Sequence, residues 1–108
     1  MQERRRSPRY WCSQMVEMSC RTEEDVVVTT TVLLEDVSRE GAAVSVEAPI
    51  AAGKMVELRA PGFQAHARVR FCRPRENDFH LGLEFPSGVE WQPDQWQPEH
   101  LFLPSPRD

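Results

Sequence analysis

What most narrows the folds open to this chain is a repeated alternation of period two. From Phe63 to Phe71 one face reads Phe63, Ala65, Ala67, Val69 and Phe71, and the other reads Gln64, His66, Arg68 and Arg70. Phe79, Leu81, Leu83 and Phe85 alternate in the same way with His80, Gly82 and Glu84. Val56 and Leu58 alternate with Glu57 and Arg59, and Val44 and Val46 with Ser45 and Glu47. Successive side chains of a strand point to opposite faces, so the pattern predicts half-buried antiparallel strands. The β-branched run Val26–Val32, reaching Leu34, adds another strand, and Tyr10–Ser19 supplies a first one. No segment carries the 3.6-residue apolar period of a long amphipathic helix.

Turn residues punctuate these runs at Ala52-Gly53-Lys54, Pro61-Gly62 and Glu76-Asn77-Asp78, and nine prolines and five glycines suit many short strands. A chain of 108 residues has room for one domain with one core. Six short strands must protect their edges, and closure into a barrel does so most economically. The expected fold is all-β, a six-stranded antiparallel β-barrel over residues 10–90, with a flexible basic arm at 1–9 and a proline-rich tail at 91–108. The tail holds Trp91, Trp96, Leu101, Phe102 and Leu103 among prolines that forbid a continuous helix. A short helical turn near Pro98–Leu103 fits, with the aromatics either plugging one end of the barrel or offering a contact to a partner protein.

Charge and composition exclude several function classes. Hydrophobic residues make up 40% and charged residues 28%, a globular balance. No stretch approaches the ~20 apolar residues of a membrane span, and no apolar segment of a secretory signal follows the basic start, which predicts a cytoplasmic protein. Cys12, Cys20 and Cys72 form no CxxC pair and read as reduced structural thiols. His66, His80 and His100 lie at no metal-ligand spacing, and His66 and His80 fall on wet strand faces, as solvated surface histidines do. There is no GxSxG elbow, P-loop or GxGxxG, and no carboxylate pair stands out as an acid/base couple. The chain reads as a binding protein that catalyses nothing and needs no cofactor.

Two short motifs remain. The net charge of −4 hides an asymmetry: residues 1–9 carry four arginines against Glu3, +3 in all, and the other 99 residues sum to −7. The arm Glu3-Arg4-Arg5-Arg6-Ser7-Pro8-Arg9 is either a solvated terminus or a local anion grip. Binding to a nucleic-acid polymer is disfavoured by the acidic body. Arginine offers a planar fork of donors that suits a phosphate or the O6/N7 edge of guanine. The second motif, Asp36-Val37-Ser38-Arg39-Glu40-Gly41, lies between two strand runs. It is either a turn, with Gly41 supplying a positive φ, or a site where Asp36 accepts from a guanine N1–H/N2–H edge while Ser38 reaches a phosphate or base.

Taken together, the motifs resemble the PilZ domain family, whose members are receptors for cyclic di-GMP. The family pattern is RxxxR near the start, then D/N-x-S-x-x-G, on a six-stranded antiparallel barrel. Arg5 and Arg9 match the first motif, and Asp36, Ser38 and Gly41 match the second, 27 residues after Arg9. Ala67–Phe71 and Leu81–Phe85 are similar to the family's last two strands. The resemblance implies a clamp for cyclic di-GMP, with the arm arginines gripping guanine and phosphate from one side and Asp36 and Ser38 from the other. The implied ligand contacts are Arg4, Arg5, Arg9, Asp36, Ser38 and Gly41, with Arg70 and Gly82 beside them. An arginine at position 4 implies an intercalated ligand dimer. The chain departs from the pattern at Ala42, where many members carry a second glycine, and in lacking residues for a long C-terminal helix. Signalling then passes through a downstream protein partner. The alternative is a family member that binds no ligand and acts as a protein-interaction adaptor.

Overall fold

The structure, a computed structural model, describes residues 7–102. Six strands follow one another in the chain: β1 Tyr10–Arg21, β2 Val27–Ser38, β3 Gly41–Val46, β4 Met55–Ala60, β5 Phe63–Pro74 and β6 Phe79–Glu84. They close into an antiparallel barrel in the order β1-β2-β3-β6-β5-β4, with β4 returning to β1 through Glu17↔Arg59 to Cys20↔Val56. Alternation drives the closure, because each strand has one apolar face and closure buries all six at once. Val44, Ala67 and Leu81 have no exposed surface, and Val16, Met18, Leu34, Val56, Leu58, Val69 and Leu83 are at most 5% exposed. Each large aliphatic side chain so buried contributes about 1.5–3 kcal/mol.

Two-residue connections join β2 to β3 at Arg39-Glu40 and β4 to β5 at Pro61-Gly62, fixing the registers Ser38↔Gly41 and Ala60↔Phe63. Gly53, between β3 and β4, has φ +95° with nothing within 4 Å of an added Cβ, so its backbone conformation is what demands glycine. The tail closes one end. Trp91 is 1% exposed, packs edge-on against Tyr10 at 5.4 Å, and its Nε1–H donates to the Trp96 carbonyl at 2.8 Å. Trp96 stacks on Phe63 at 6.4 Å and lies over Gly62.

Three expectations need correction. The tail makes no helical turn over Pro98–Phe102. His100 has φ +56°, and Phe102 N–H donates to the Trp11 carbonyl at 2.8 Å, so this segment lies beside the start of β1 in a β-bridge. Leu103 lies outside the described residues. Phe71 does not continue the buried face of β5, because the ladder to β6 runs Val69↔Leu83 and then Phe71↔Gly82. The extra residue, Arg70, is a β-bulge that reverses the alternation and turns Phe71 outward. Finally, Asp36 to Ser38 is the end of β2 rather than a turn, and Gly41 has no positive φ.

Candidate functional site

β1 and β2 form a long hairpin, and its register explains the spacing of the two motifs. Tyr10 pairs with Val37 and Trp11 with Asp36, so Arg9, one residue before β1, arrives beside Asp36. Twenty-seven residues is the path out along β1 and back along β2. A bulge helps here too: Leu34↔Val44 is followed by Asp36↔Ala43, leaving Glu35 extra. The bulge lets Leu34 and Val37 both face the core while Asp36 turns to the outer face. Asp36 is 4% exposed, and Arg9 Nε lies 3.6 Å from its Oδ1.

Around this pair lies a cleft of about 600 Å³, within the range of small-molecule sites. Arg9, Asp36 and Ser38 form one side, and Ser38 Oγ donates to the Gly41 carbonyl at 3.4 Å. The floor is made of small residues from β3 and β6, Gly41 to Ala43 and Gly82. Gly41 earns its place by close approach: a Cβ there would lie 2.3 Å from the Leu83 carbonyl oxygen. Ala42 belongs to the core, so a second glycine is not required there.

The opposite wall is Arg70, Phe71, Arg73 and His80. Phe71 lies flat over Gly82, where an added Cβ would meet the ring at 2.3 Å. The Arg73 guanidinium sits 4.2 Å above the Phe71 ring centroid, and the His80 ring is 5.8 Å away. His80 is thus not the solvated surface histidine expected. It is half-buried, with Nδ1 3.0 Å from Glu35 Oε1, because the bulge brings Phe71 onto its face of the sheet. A network braces this wall. Arg75 donates to Glu35 at 3.0 and 3.3 Å and to Asp78 at 2.8 and 3.1 Å, while Ser45 Oγ donates to Asp78 at 2.6 Å. The hydrogen bond from Arg75, then that from Ser45, holds the Asp78 carboxyl below its ordinary value. The same bonds to Asp78 and Glu35 push the Arg75 guanidinium up.

Acidic groups on the rim are engaged. Glu84 accepts from Arg68 at 2.9 Å, and Glu40 accepts from the buried Ser7 hydroxyl at 2.9 Å, which ties the root of the arm to the β2–β3 turn. Cys12 lies behind Asp36 with its thiol pushed up to about 12, by burial first and then by the Asp36 and Glu35 carboxylates. A thiol held protonated is no nucleophile. The three cysteines form no disulfide.

Of the residues picked from the sequence, Arg9, Asp36, Ser38, Gly41, Arg70 and Gly82 line the one cleft, and Arg4 and Arg5 lie outside the described residues. Sequence reasoning missed Phe71, Arg73 and His80. The signal available was Gly82 itself, a glycine inside an alternating strand, which marks a close approach. Chemically the cleft offers arginine forks, a carboxylate and an aromatic face, the set that grips a purine nucleotide by phosphate, base edge and base plane. Among the described residues no cluster of His, Cys, Asp or Glu could hold a metal ion, and no helix is long and apolar enough to cross a membrane.

No curated protein matches the chain. The family model described as the PilZ domain matches residues 3–92, spanning the arm, the whole barrel and Trp91. With Arg9 and the Asp36–Gly41 motif at one cleft on a closed six-stranded barrel, this chain belongs to the PilZ domain family, a cyclic di-GMP receptor family whose domains bind ligands or act as adaptors rather than catalyse.

Proposed function

We propose that this protein binds cyclic di-GMP in the cleft between the root of the arm and the wall formed by Phe71, Arg73 and His80. The observation that carries the reading is the meeting of Arg9 and Asp36, 3.6 Å apart, at a cleft whose other wall is an outward-turned aromatic ring capped by arginine. Asp36 accepts from the N1–H/N2–H edge of one guanine, and Ser38 reaches a phosphate or base. Arg9 and Arg5 pair with phosphate and with the O6/N7 edge. Phe71 offers a base the face that Arg73 now covers. The Arg9 guanidinium is half exposed, so exchanging its ion pair for a phosphate costs little.

Binding orders the arm over the cleft, and that ordering is what a downstream protein reads. Trp11 and Phe102, 52% and 63% exposed, lie on the neighbouring face and form the candidate contact. Arg4 extends the cationic side of the site and favours an intercalated ligand dimer. Since cyclic di-GMP is an intracellular messenger, the protein works in the cytoplasm.

Calorimetric titration of cyclic di-GMP into the wild type and into an Arg5→Ala/Arg9→Ala variant tests the reading. Each lost charge-assisted bond costs about 1.5–3 kcal/mol, so the double variant binds at least roughly a hundredfold more weakly. Two ligands per chain support the dimer, and one per chain refutes it. A wild type that gives no heat and no binding refutes the receptor reading and leaves an adaptor.

A further inference from the structure

We propose that the edge of β2 left open among the described residues joins two copies of this chain through an antiparallel strand pairing centred on Thr29. β2 runs from Val27 to Ser38, but β3 pairs only with its second half, Leu33 to Ser38. Along Val27–Val32 β1 occupies one side, and no described strand pairs with the other. The hairpin therefore projects past the closed part of the barrel, leaving Val26, Val27 and Val28 45–54% exposed.

The hydrogen-bond phase of that edge can be read. Thr22 N–H donates to the Val26 carbonyl at 2.8 Å, so Val26 turns its backbone groups toward β1. Backbone direction alternates along an antiparallel strand, which turns Val28 and Thr30 to β1 as well. Val27, Thr29 and Thr31 then present their N–H and C=O groups to the open side. A row of such groups at strand spacing is completed by another extended strand.

Two observations make that strand a second copy. First, the outward-turned set complements itself. A two-fold axis through Thr29 pairs Thr29 with Thr29 and Val27 with Thr31 twice over, using only residues whose groups already point outward. Second, Val26–Leu34 carries no charge, proline or glycine, so it lacks the side chains that commonly block edge pairing. The residues that pair in this register, Val27–Thr31, are uncharged, so on a body of charge −7 they set no like charges face to face. The strip spans only ~20 Å at ~3.3 Å per residue and buries less than a standard interface of ~800 Å² per partner, so the dimer is weak and concentration-dependent.

Sedimentation equilibrium on the full chain, with residue-resolved amide exchange, tests this. The mass rises from 12.5 kDa toward twice that value, over roughly 10 μM to 1 mM as an interface of this size implies. Over the same range the amides of Val27, Thr29 and Thr31 gain protection, while those of Val28 and Thr30, already bonded to β1, do not change. Thr29→Lys and Thr29→Asp each set like charges on the axis and stay at 12.5 kDa. An equal mixture of the two recovers the doubled mass, which misfolded variants cannot do. A wild type that stays monomeric leaves the edge to a foreign strand and overturns the proposal. So does a dimer that survives in both variants, a mixture that stays monomeric, or a doubled mass without protection at the three amides.

Discussion

Replacing Gly41 with alanine separates a ligand-contacting glycine from one that lets two strands approach. In the structure a Cβ at position 41 would sit 2.3 Å from the Leu83 carbonyl oxygen and 3.4 Å from its carbon, both backbone atoms of β6. An ordinary carbon–oxygen contact is about 3.3 Å or longer, so β3 and β6 must part there by roughly 1 Å. Phe85 N–H donates to the Glu40 carbonyl at 2.8 Å at this same end of the ladder, and parting the strands breaks that bond. Overpacking costs about 1–3 kcal/mol and an unmade buried bond about 1–3, offset by about 0.5–1 from the lower entropy of the unfolded alanine chain. The net loss is about 1–5 kcal/mol, which for a domain of this size lowers the Tm by roughly 5–40 °C. Thermal unfolding followed by far-UV circular dichroism, without ligand, measures it. Gly53→Ala is the comparison: that site has φ +95° and open space around it, so its cost is backbone strain of about 1 kcal/mol, or roughly 5 °C. A Gly41→Ala protein melting within about 3 °C of the wild type would sink the close-approach account and return Gly41 to the ligand.

Three further outcomes are expected. Phe71→Ala leaves the Tm nearly unchanged, because the ring lies outside the core, but weakens cyclic di-GMP by about 1–3 kcal/mol in a calorimetric titration; unchanged affinity would remove the ring from the site. Trp91→Ala costs about 3–5 kcal/mol in urea unfolding, since the side chain is 1% exposed and plugs the barrel. The raised pKa of Cys12, about 12 against 9.0 for an ordinary thiol, means the folded protein keeps a proton that the unfolded chain releases. Its contribution to stability is therefore complete below pH 9 and is lost as the pH rises from 9 toward 12; unfolding in urea across that range shows the decline, and Cys12→Ala abolishes that component.

Much of the barrel was legible because alternation is a local property. Phe63–Val69 and Leu81–Phe85 announce one wet and one dry face whatever they pair with, and Pro61-Gly62 and Gly53 announce turns by their own backbone preferences. The motif residues were legible for a related reason. A hairpin returns the chain to its starting point after a fixed length, so Arg9 and Asp36 can be associated from spacing alone. The tail was half legible: its prolines ruled out a long helix, but nothing local says that Glu99–Phe102 lies along β1 or that Trp91 is the buried tryptophan.

What the sequence by itself determined is thus the class of fold, the number of strands, the residues at one side of the cleft and, through the resemblance, Arg70 and Gly82 beyond them. The other side was decided by tertiary structure. Arg70 becomes a bulge only because β5 and β6 must stay paired around a closed barrel, and that one extra residue turns Phe71 from core to cleft and brings His80 against it. Gly41 likewise carries no local sign of its role, since its backbone angles suit any residue and only the nearness of the Leu83 carbonyl forbids a side chain. Periodicity and turn chemistry act along the chain, whereas bulges and close approaches arise between strands, where the register of one sets what the other can hold.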